Sequence, residues 1–403
     1  MSTQKIEIYS YRWIVLLLYF FANVVSNMLW TNFAPVTTHA MKFYNVDEFS
    51  IIFISLMFLI VYVPVTFLAA WIIDKYDFKI GAGIGVLLNG IFGFLRCIAG
   101  NNYFLALSFS VGIAVAQPFL LNTITKLSAN WFPETERTTA TGISVIATAI
   151  GVALAMILTP ILVLNFDFRF MLLIYGLLAL VSSLLFLIFA KNKPPIPPSA
   201  NIVADKVFVF QGFKLLFSNR NFLILVVIFF LAMGIFNMIT TYIELIVIPR
   251  GYNSIFAGIL GMLIIIGGIV GTILISVLSD KLNQRKNIMI ISLIIATFSL
   301  LIFSFSFNSL LLMISSFFFG FGLMGATPIA LEYSVDATKP VPEASSNGIL
   351  MMTGSIGGIV LIISLENVKI SGDYFPGLII QTIFLLICVV LVLFSEEIKA
   401  RND

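Results

Sequence analysis

The stretch WIIDKYDFKI, residues 71–80, closes a long apolar run on an acid, Asp74, with Lys75 and Lys79 just after it. A carboxylate at the last turn of a helix faces the negative end of the helix dipole, so its placement needs a reason. The chain does the same thing a second time. In ISVLSDKLNQRK, residues 275–286, another apolar run ends on Asp280, followed by Lys281, Arg285 and Lys286. The two acids lie 206 positions apart, and so do Gly142 and Gly348, Gly151 and Gly357, and Lys126 and Glu332. ERTTATGI (136–143) and PEASSNGI (342–349), which contain Gly142 and Gly348, share the offset. A fixed interval over distant landmarks indicates two parallel copies of one unit.

Composition fixes the solvent of those copies. Apolar residues make up 60% of the 403-residue chain and charged residues 10%, and mean hydropathy is +1.09. A soluble domain carries about 25% charged residues, so this chain cannot cover a water-facing surface and is read as an integral membrane protein. The net charge of +3 sits almost wholly in loops and forms no basic face for nucleic acid. Cys97 and Cys388 lie in apolar runs and read as small core residues. The first apolar run, from Trp13, is too long for a cleaved signal and reads as a span. No H-E-x-x-H, G-x-S-x-G or P-loop is present, so an enzyme is not expected, nor is any cofactor or metal.

A spanning helix needs about 20 apolar residues. Twelve such runs occur, at about 13–37, 48–73, 80–100, 102–126, 138–164, 168–190, 221–248, 254–279, 287–306, 309–334, 344–367 and 373–395. The natural division is a six-helix bundle over 1–190, a linker over 191–220 and a six-helix bundle over 221–403. Prolines forbid a helix at the start of the linker, and its later part, with Val207, Phe210, Leu215 and Phe217, fits an interfacial segment. Seventeen lysines and arginines fall on the side of the two termini and the even-to-odd loops, and four on the opposite side. The positive-inside rule then places both termini in the cytoplasm.

Two pseudo-symmetric six-helix bundles are the architecture of the major facilitator superfamily. An all-α membrane protein with twelve transmembrane helices in that fold is expected. The superfamily's loop motif between spans two and three, G-x-x-x-D-R/K-x-G-R/K-R/K, resembles Ala70, Asp74, Lys75 and Lys79 here, with Asp77 where the second glycine would stand. The second copy carries Ser276, Asp280, Lys281, Arg285 and Lys286. The resemblance implies that Asp74, Lys75, Arg137, Asp280 and Lys281 form a cytoplasmic gate, the acid being a latch that breaks in each cycle. Glu134, Glu136 and Glu343 are expected in the same network, and Lys126 and Glu332 could pair across the pseudo-twofold or stand apart as solvated ends.

Intramembrane polar groups point to the substrate site. Span one offers Asn23, Asn27 and Trp30 on one face, and span four offers Gln117 before Pro118. Span seven offers Asn237, Thr240, Thr241 and Glu244 as one stripe with Tyr242 beside it, and span eleven offers Thr353 and Ser355. Packing explains many such groups equally well, since Asn and Gln often only bridge helices. Glu244 is either a wetted vestibule charge, an attraction for a cation, or a carrier of a coupling proton. His39 is placed in an outer loop without a metal role.

VYVPVTFLAAWIID (61–74), FGFLRCIAG (92–100), AVAQPFLL (114–121), FNMITTY (236–242) and ALEYSVDATKPVPEASSNGIL (330–350) together resemble the feline leukaemia virus subgroup C receptor family, facilitators associated with choline, ethanolamine and haem. The likeness implies that Trp30, Gln117 and Tyr242 line a choline site. Ser355 stands where that family has a second glutamine, and Glu244 has no counterpart there. A quaternary ammonium is attracted to aromatic faces, which suits Trp30 and Tyr242. The expected function is alternating-access transport of a small organic solute, a choline-like cation, by a monomer embedded in membrane lipid. The alternatives are a proton-coupled transporter of an organic acid or sugar, and a haem exporter.

Overall fold

The structure is a computed structural model that describes residues 8–196, 198, 215–282, 284–339, 341, 343–369 and 373–396. Lys5, Lys206, Val207, Phe210, Lys214, Lys399, Arg401 and the Glu343 side chain lie outside the described residues. The chain divides into two compact units, Met1–Ala204 and Asp205–Asp403. Among the described residues it is helical, without a strand, and twelve helices are long and apolar enough to cross a membrane. Six lie in the first unit: span 1 (Tyr11–Tyr44), span 2 (Glu48–Tyr76), span 3 (Phe78–Ile98), span 4 (Tyr103–Trp131), span 5 (Glu134–Asn165) and span 6 (Phe168–Phe189). Six lie in the second: span 7 (Arg220–Arg250), span 8 (Ser254–Leu282), span 9 (Arg285–Phe305), span 10 (Ser309–Thr338), span 11 (Ser345–Val368) and span 12 (Phe375–Leu393).

Two spans depart from the expected bounds. Span 1 is helical over Tyr11–Thr31, passes through a 3-10 turn at Ala34–Val36 and resumes over Thr37–Tyr44. Pro35 has no N–H for an α-helical bond, so the helix breaks there. His39 therefore sits in a short helix and not in a loop. Span 4 stops at Leu121 and restarts as Ile124–Trp131. Its break is held from outside the helix: Asn122 Nδ2 donates to Thr66 O at 3.1 Å and Thr66 Oγ1 at 3.0 Å.

The internal repeat reappears in the local chemistry of each unit. On the side opposite the termini, each helix start is capped by an Asx side chain, and the caps fall in pairs 206 positions apart. Asp47 and Asn253 accept from Ser50 N and Phe256 N. Asn102 and Asn308 accept from Leu105 N and from Leu310 N and Leu311 N. Asp167 and Asp373 accept from Phe170 N and Phe375 N. Such side chains satisfy orphan N–H groups of the first turn. The residues before spans 2 and 8 match as well: Asn45 has φ 53° and Gly251 φ 87°.

The paired glycines separate into two kinds. A Cβ on Gly151 would overlap the carbonyl of Val24, and one on Gly357 would overlap that of Phe230. Val24 and Phe230 are themselves a pair at the same offset, so spans 1 and 5 approach through the contact that spans 7 and 11 repeat. Small residues permit such backbone approach in membranes, where packing drives association. Gly142 and Gly348 face open space instead.

Candidate functional site

In the first unit, Asn23 and Asn27 are fully buried on span 1. Asn23 Nδ2 donates to Ser144 O at 3.0 Å and Thr148 Oγ1 at 3.1 Å, which ties span 1 to span 5. Asn27 Nδ2 donates back to Asn23 O at 2.8 Å and Asn23 Oδ1 at 3.0 Å, and its own Oδ1 is buried without a partner. One turn on, Trp30 is half-buried, its ring centroid 6.4 Å from that of Phe58 on span 2. Gln117 is buried on span 4, and its amide makes no hydrogen bond among the described residues.

In the second unit the span 7 stripe resolves differently. Asn237 Nδ2 donates to Met233 O at 3.0 Å and Thr240 Oγ1 to Phe236 O at 2.8 Å, both within their own helix. Ser355 Oγ likewise donates to Met351 O at 3.2 Å. Such back-bonding satisfies a hydroxyl locally. Thr241 is half-buried. Glu244 is not a wetted vestibule charge: it is fully buried and accepts from Ser254 Oγ at 2.5 Å, joining the end of span 7 to the start of span 8.

Tyr242 belongs to a cluster that sequence reasoning missed. Its ring is fully buried, 5.4 Å from that of Tyr374. Its hydroxyl donates to Ile362 O at 3.1 Å and lies 3.5 Å from Glu366 Oε2. Glu366 Oε1 in turn holds the Lys369 ammonium at 2.5 Å, and that ammonium sits 5.9 Å from the Tyr374 ring centre. The Tyr374 hydroxyl is buried without a partner. An acid inside span 11 was the signal available for Glu366. The cluster can neutralise a cation between a carboxylate and aromatic rings.

Charges on the termini side form separate networks in each unit. Asp74 is exposed, with Lys126 Nζ 4.0 Å away, and Lys75 Nζ lies over the Trp71 and Tyr76 rings at 4.9 and 5.0 Å. Arg137 Nε donates to Phe132 O at 3.3 Å. Arg12, not expected in the network, forks onto Glu136 at 3.1 and 3.2 Å. In the second unit Asp280 and Lys281 are exposed, and Arg285 takes the central place, bonding Asp336 and, at 2.8 Å, Glu332. Lys126 and Glu332 thus each have a partner in their own unit, Asp74 and Arg285 respectively.

Asp77 explains its own departure from the glycine motif. Its backbone is at φ 74° and ψ 176°, a region almost confined to glycine. Its carboxylate accepts from Phe78 N at 2.8 Å, Asn130 Nδ2 at 2.8 Å and Asn192 Nδ2 at 3.1 Å. Burial raises its pKa, but the bonds from Asn130, Phe78 N and Asn192 outweigh that, so the group stays below the ordinary carboxylate value. Side-chain bonds hold a strained backbone where glycine would need none.

On the side opposite the termini each unit also ties one arginine to backbone carbonyls, fully buried in the first unit and half-buried in the second. Arg96, fully buried on span 3, donates from Nη1 to Leu29 O at 3.2 Å and lies 5.0 Å from the Phe33 ring centre. Arg250 donates to Phe303 O at 2.6 Å, Ser306 O at 3.0 Å and Ser304 O at 3.3 Å, the last carbonyls of span 9.

Comparison with known proteins agrees with this architecture. Solute carrier family 49 member A3 of Xenopus tropicalis is 31% identical over 380 residues, covering 89% of this chain and 78% of the relative. Choline/ethanolamine transporter FLVCR2 of Homo sapiens is 25% identical over 411 residues, covering 97% of this chain and 78% of the relative. Among solved structures, a bacterial homolog of the human lysosomal transporter Spinster in an inward-facing, unoccupied conformation superposes with a TM-score of 0.75 at 14% identity, covering 96% of this chain and 97% of that one. The nucleoside transporter NupG superposes with a TM-score of 0.73 at 18% identity, covering 94% and 97%. These likenesses share the fold. The profile of the Major Facilitator Superfamily matches residues 19–362, and with twelve membrane helices in two repeats this chain belongs to that superfamily: it is an integral membrane transporter of a small molecule, not an enzyme.

Proposed function

We propose that the solute is a small organic cation of the choline and ethanolamine type, moved by alternating access. The observation that carries this reading is the Lys369 ammonium, bonded to Glu366 and set near Tyr374, with Tyr242 beside them. A group that holds one ammonium has the chemistry for another. A substrate cation would compete with Lys369 for Glu366. Trp30, Asn27 and Gln117 would supply the first unit's share of the site, the Trp30 face toward the ammonium and the Gln117 amide toward a hydroxyl or amine. Asn237, Thr241 and Ser355 would line the second unit's share. Relatives named as choline/ethanolamine transporters match 96% of the chain or more at 24–26% identity, which supports the same class.

The bundles over 1–190 and 221–403, joined by the linker 191–220, act as the two moving bodies of a monomer. The excess of lysine and arginine on the side of the termini supports cytoplasmic termini in a plasma membrane. On that side Asp74, Lys75, Arg137, Asp280 and Lys281 gate the path. Glu244, tied to Ser254, serves as a brace between spans 7 and 8 rather than as a proton carrier.

The test is uptake of radiolabelled choline and ethanolamine into proteoliposomes. Trp30→Ala and Glu366→Gln should each lower uptake at least about tenfold, the loss of one cation contact of roughly 1.4 kcal/mol or more. Glu244→Gln should leave the pH dependence of uptake unchanged. Uptake of an organic acid or sugar with no uptake of either amine would overturn the reading.

A further inference from the structure

The second unit contains a cavity of about 320 Å³ among spans 7, 11 and 12, lined by Phe230, Leu361, Leu365, Gly377, Gln381 and Phe384 among others. That volume lies within the range of small-molecule sites, about 300–1,000 Å³. Its walls carry no charged group. They carry one buried amide, Gln381, whose Oε1 has no hydrogen-bond partner.

The first unit shows why the space exists. At the equivalent positions, 206 residues earlier, Met171 stands for Gly377, Tyr175 for Gln381 and Thr159 for Leu365. Met171 and Tyr175 are buried, and the Tyr175 hydroxyl shares a 2.7 Å hydrogen bond with Thr159 Oγ1. One copy of the repeat fills its polar position and satisfies it internally. The other replaces two large side chains by a glycine and a glutamine, and replaces the glutamine's potential partner by a leucine. An unsatisfied polar group inside a bilayer is costly, so natural sequences remove it or provide a partner. Here a partner fits in the space.

We infer that this cavity binds a neutral lipid bearing a hydroxyl, the hydroxyl bonding the Gln381 amide and the chain lying along the apolar wall. On span 11, Val360 in its lining is exposed and Ser364 half-buried. All the lining residues belong to membrane-spanning helices, so bilayer components are the molecules at hand. The absence of any lining acid or base makes a charged head, or the transported cation, a poor fit.

The experiment uses the full chain in detergent micelles with two photoreactive probes, a long-chain alcohol carrying a diazirine and the matching alkane without the hydroxyl. Labelled residues are mapped by peptide mass spectrometry. The alcohol should label residues 360–384 in the wild-type protein. Gln381→Tyr, which restores the first unit's filling, should abolish that labelling. Gln381→Leu should lower it roughly tenfold, the loss of one hydrogen bond to a buried group. A side chain on Gly377 would overlap Leu365, so Gly377→Met combined with Leu365→Thr, the first unit's residues at both positions, provides a second way to fill the cavity should the tyrosine variant fail to fold, as judged by gel filtration and thermal melting. Equal labelling in wild-type and filled variants, or no labelling of 360–384 at all, overturns the inference. Alkane labelling as strong as alcohol labelling overturns the role of Gln381.

Discussion

The two units are copies of one design that solve the same problems with different residues. On the side of the termini, the first unit holds an acid, Asp77, with two neutral amides, Asn130 and Asn192. At the position equivalent to Asn130 the second unit has Asp336, held by Arg285, with Glu332 and Lys339 joined to the same group. On the other side the first unit buries Arg96 from span 3, and the second holds a half-buried Arg250 at the end of span 7, the position equivalent to Tyr44, on the Phe303 carbonyl. What does not change is the backbone: the Asx caps, the positive-φ turn and the glycine contacts recur at one offset. Close packing and capping define the repeat, whereas charge placement is free to diverge and carries what is specific to each unit.

The largest test of that division is the glycine pair. Gly357→Ala drives a methyl group into the Phe230 carbonyl, and overpacking of this kind should cost about 3 kcal/mol. Gly151→Ala should behave alike. Detergent thermal melts would show both as strongly destabilised or unfolded, and a mild effect in only one would mean that the units do not share this contact. Arg285→Ala comes next. It leaves Glu332 and Asp336 without their shared cation and should cost about 1–2 kcal/mol, the pair being partly exposed. Asn130→Ala should cost less, about 1 kcal/mol.

Asp77 separates strain from bonding. Asp77→Ala keeps the unfavourable φ and loses the bonds, so it should destabilise by about 2 kcal/mol, while Asp77→Gly relieves the backbone and should recover about half. Because the folded-state pKa is depressed, the carboxylate's contribution is present above the ordinary value of about 3.9 and is lost as pH falls through the folded value. Acid unfolding of Asp77→Gly should lack that component. The smallest effect belongs to Gly348→Ala, which meets open space and should gain about 0.5–1 kcal/mol from helix propensity. A destabilised Gly348→Ala would contradict the open space around this position.

Much of the fold was legible in the sequence because it is encoded in long-range redundancy. Apolar run length gave the spans, and the 206-residue interval between Asp74 and Asp280 gave the repeat. Helix ends were less legible: span 1 and span 4 continue past their apolar cores through breaks at Pro35 and Asn122, where the flanking helix is too polar to register. Trp30, Gln117 and Tyr242 stood out as intramembrane polar and aromatic groups, but only family resemblance linked them to one another, since composition treats an intramembrane Trp or Tyr as packing. The grouping of Tyr242 with Glu366, Lys369 and Tyr374 was not legible, because a residue of span 7 meets the turn between spans 11 and 12, more than 120 positions away. Back-bonding of Asn237, Thr240 and Ser355 to their own helices also escaped the periodicity, which places a group on a face without saying whether it is already satisfied.

The central claim is that the chain recognises an organic cation through Glu366 and its aromatic neighbours together with Trp30. The most direct measurement is choline binding by thermal shift on the purified protein, compared among wild type, Trp30→Ala and Glu366→Gln. A ligand that binds only the folded state raises the melting temperature by mass action. The account predicts a concentration-dependent rise in the wild type that is lost in both variants. A rise of equal size in Glu366→Gln, or no response of the wild type to choline or ethanolamine, would contradict it.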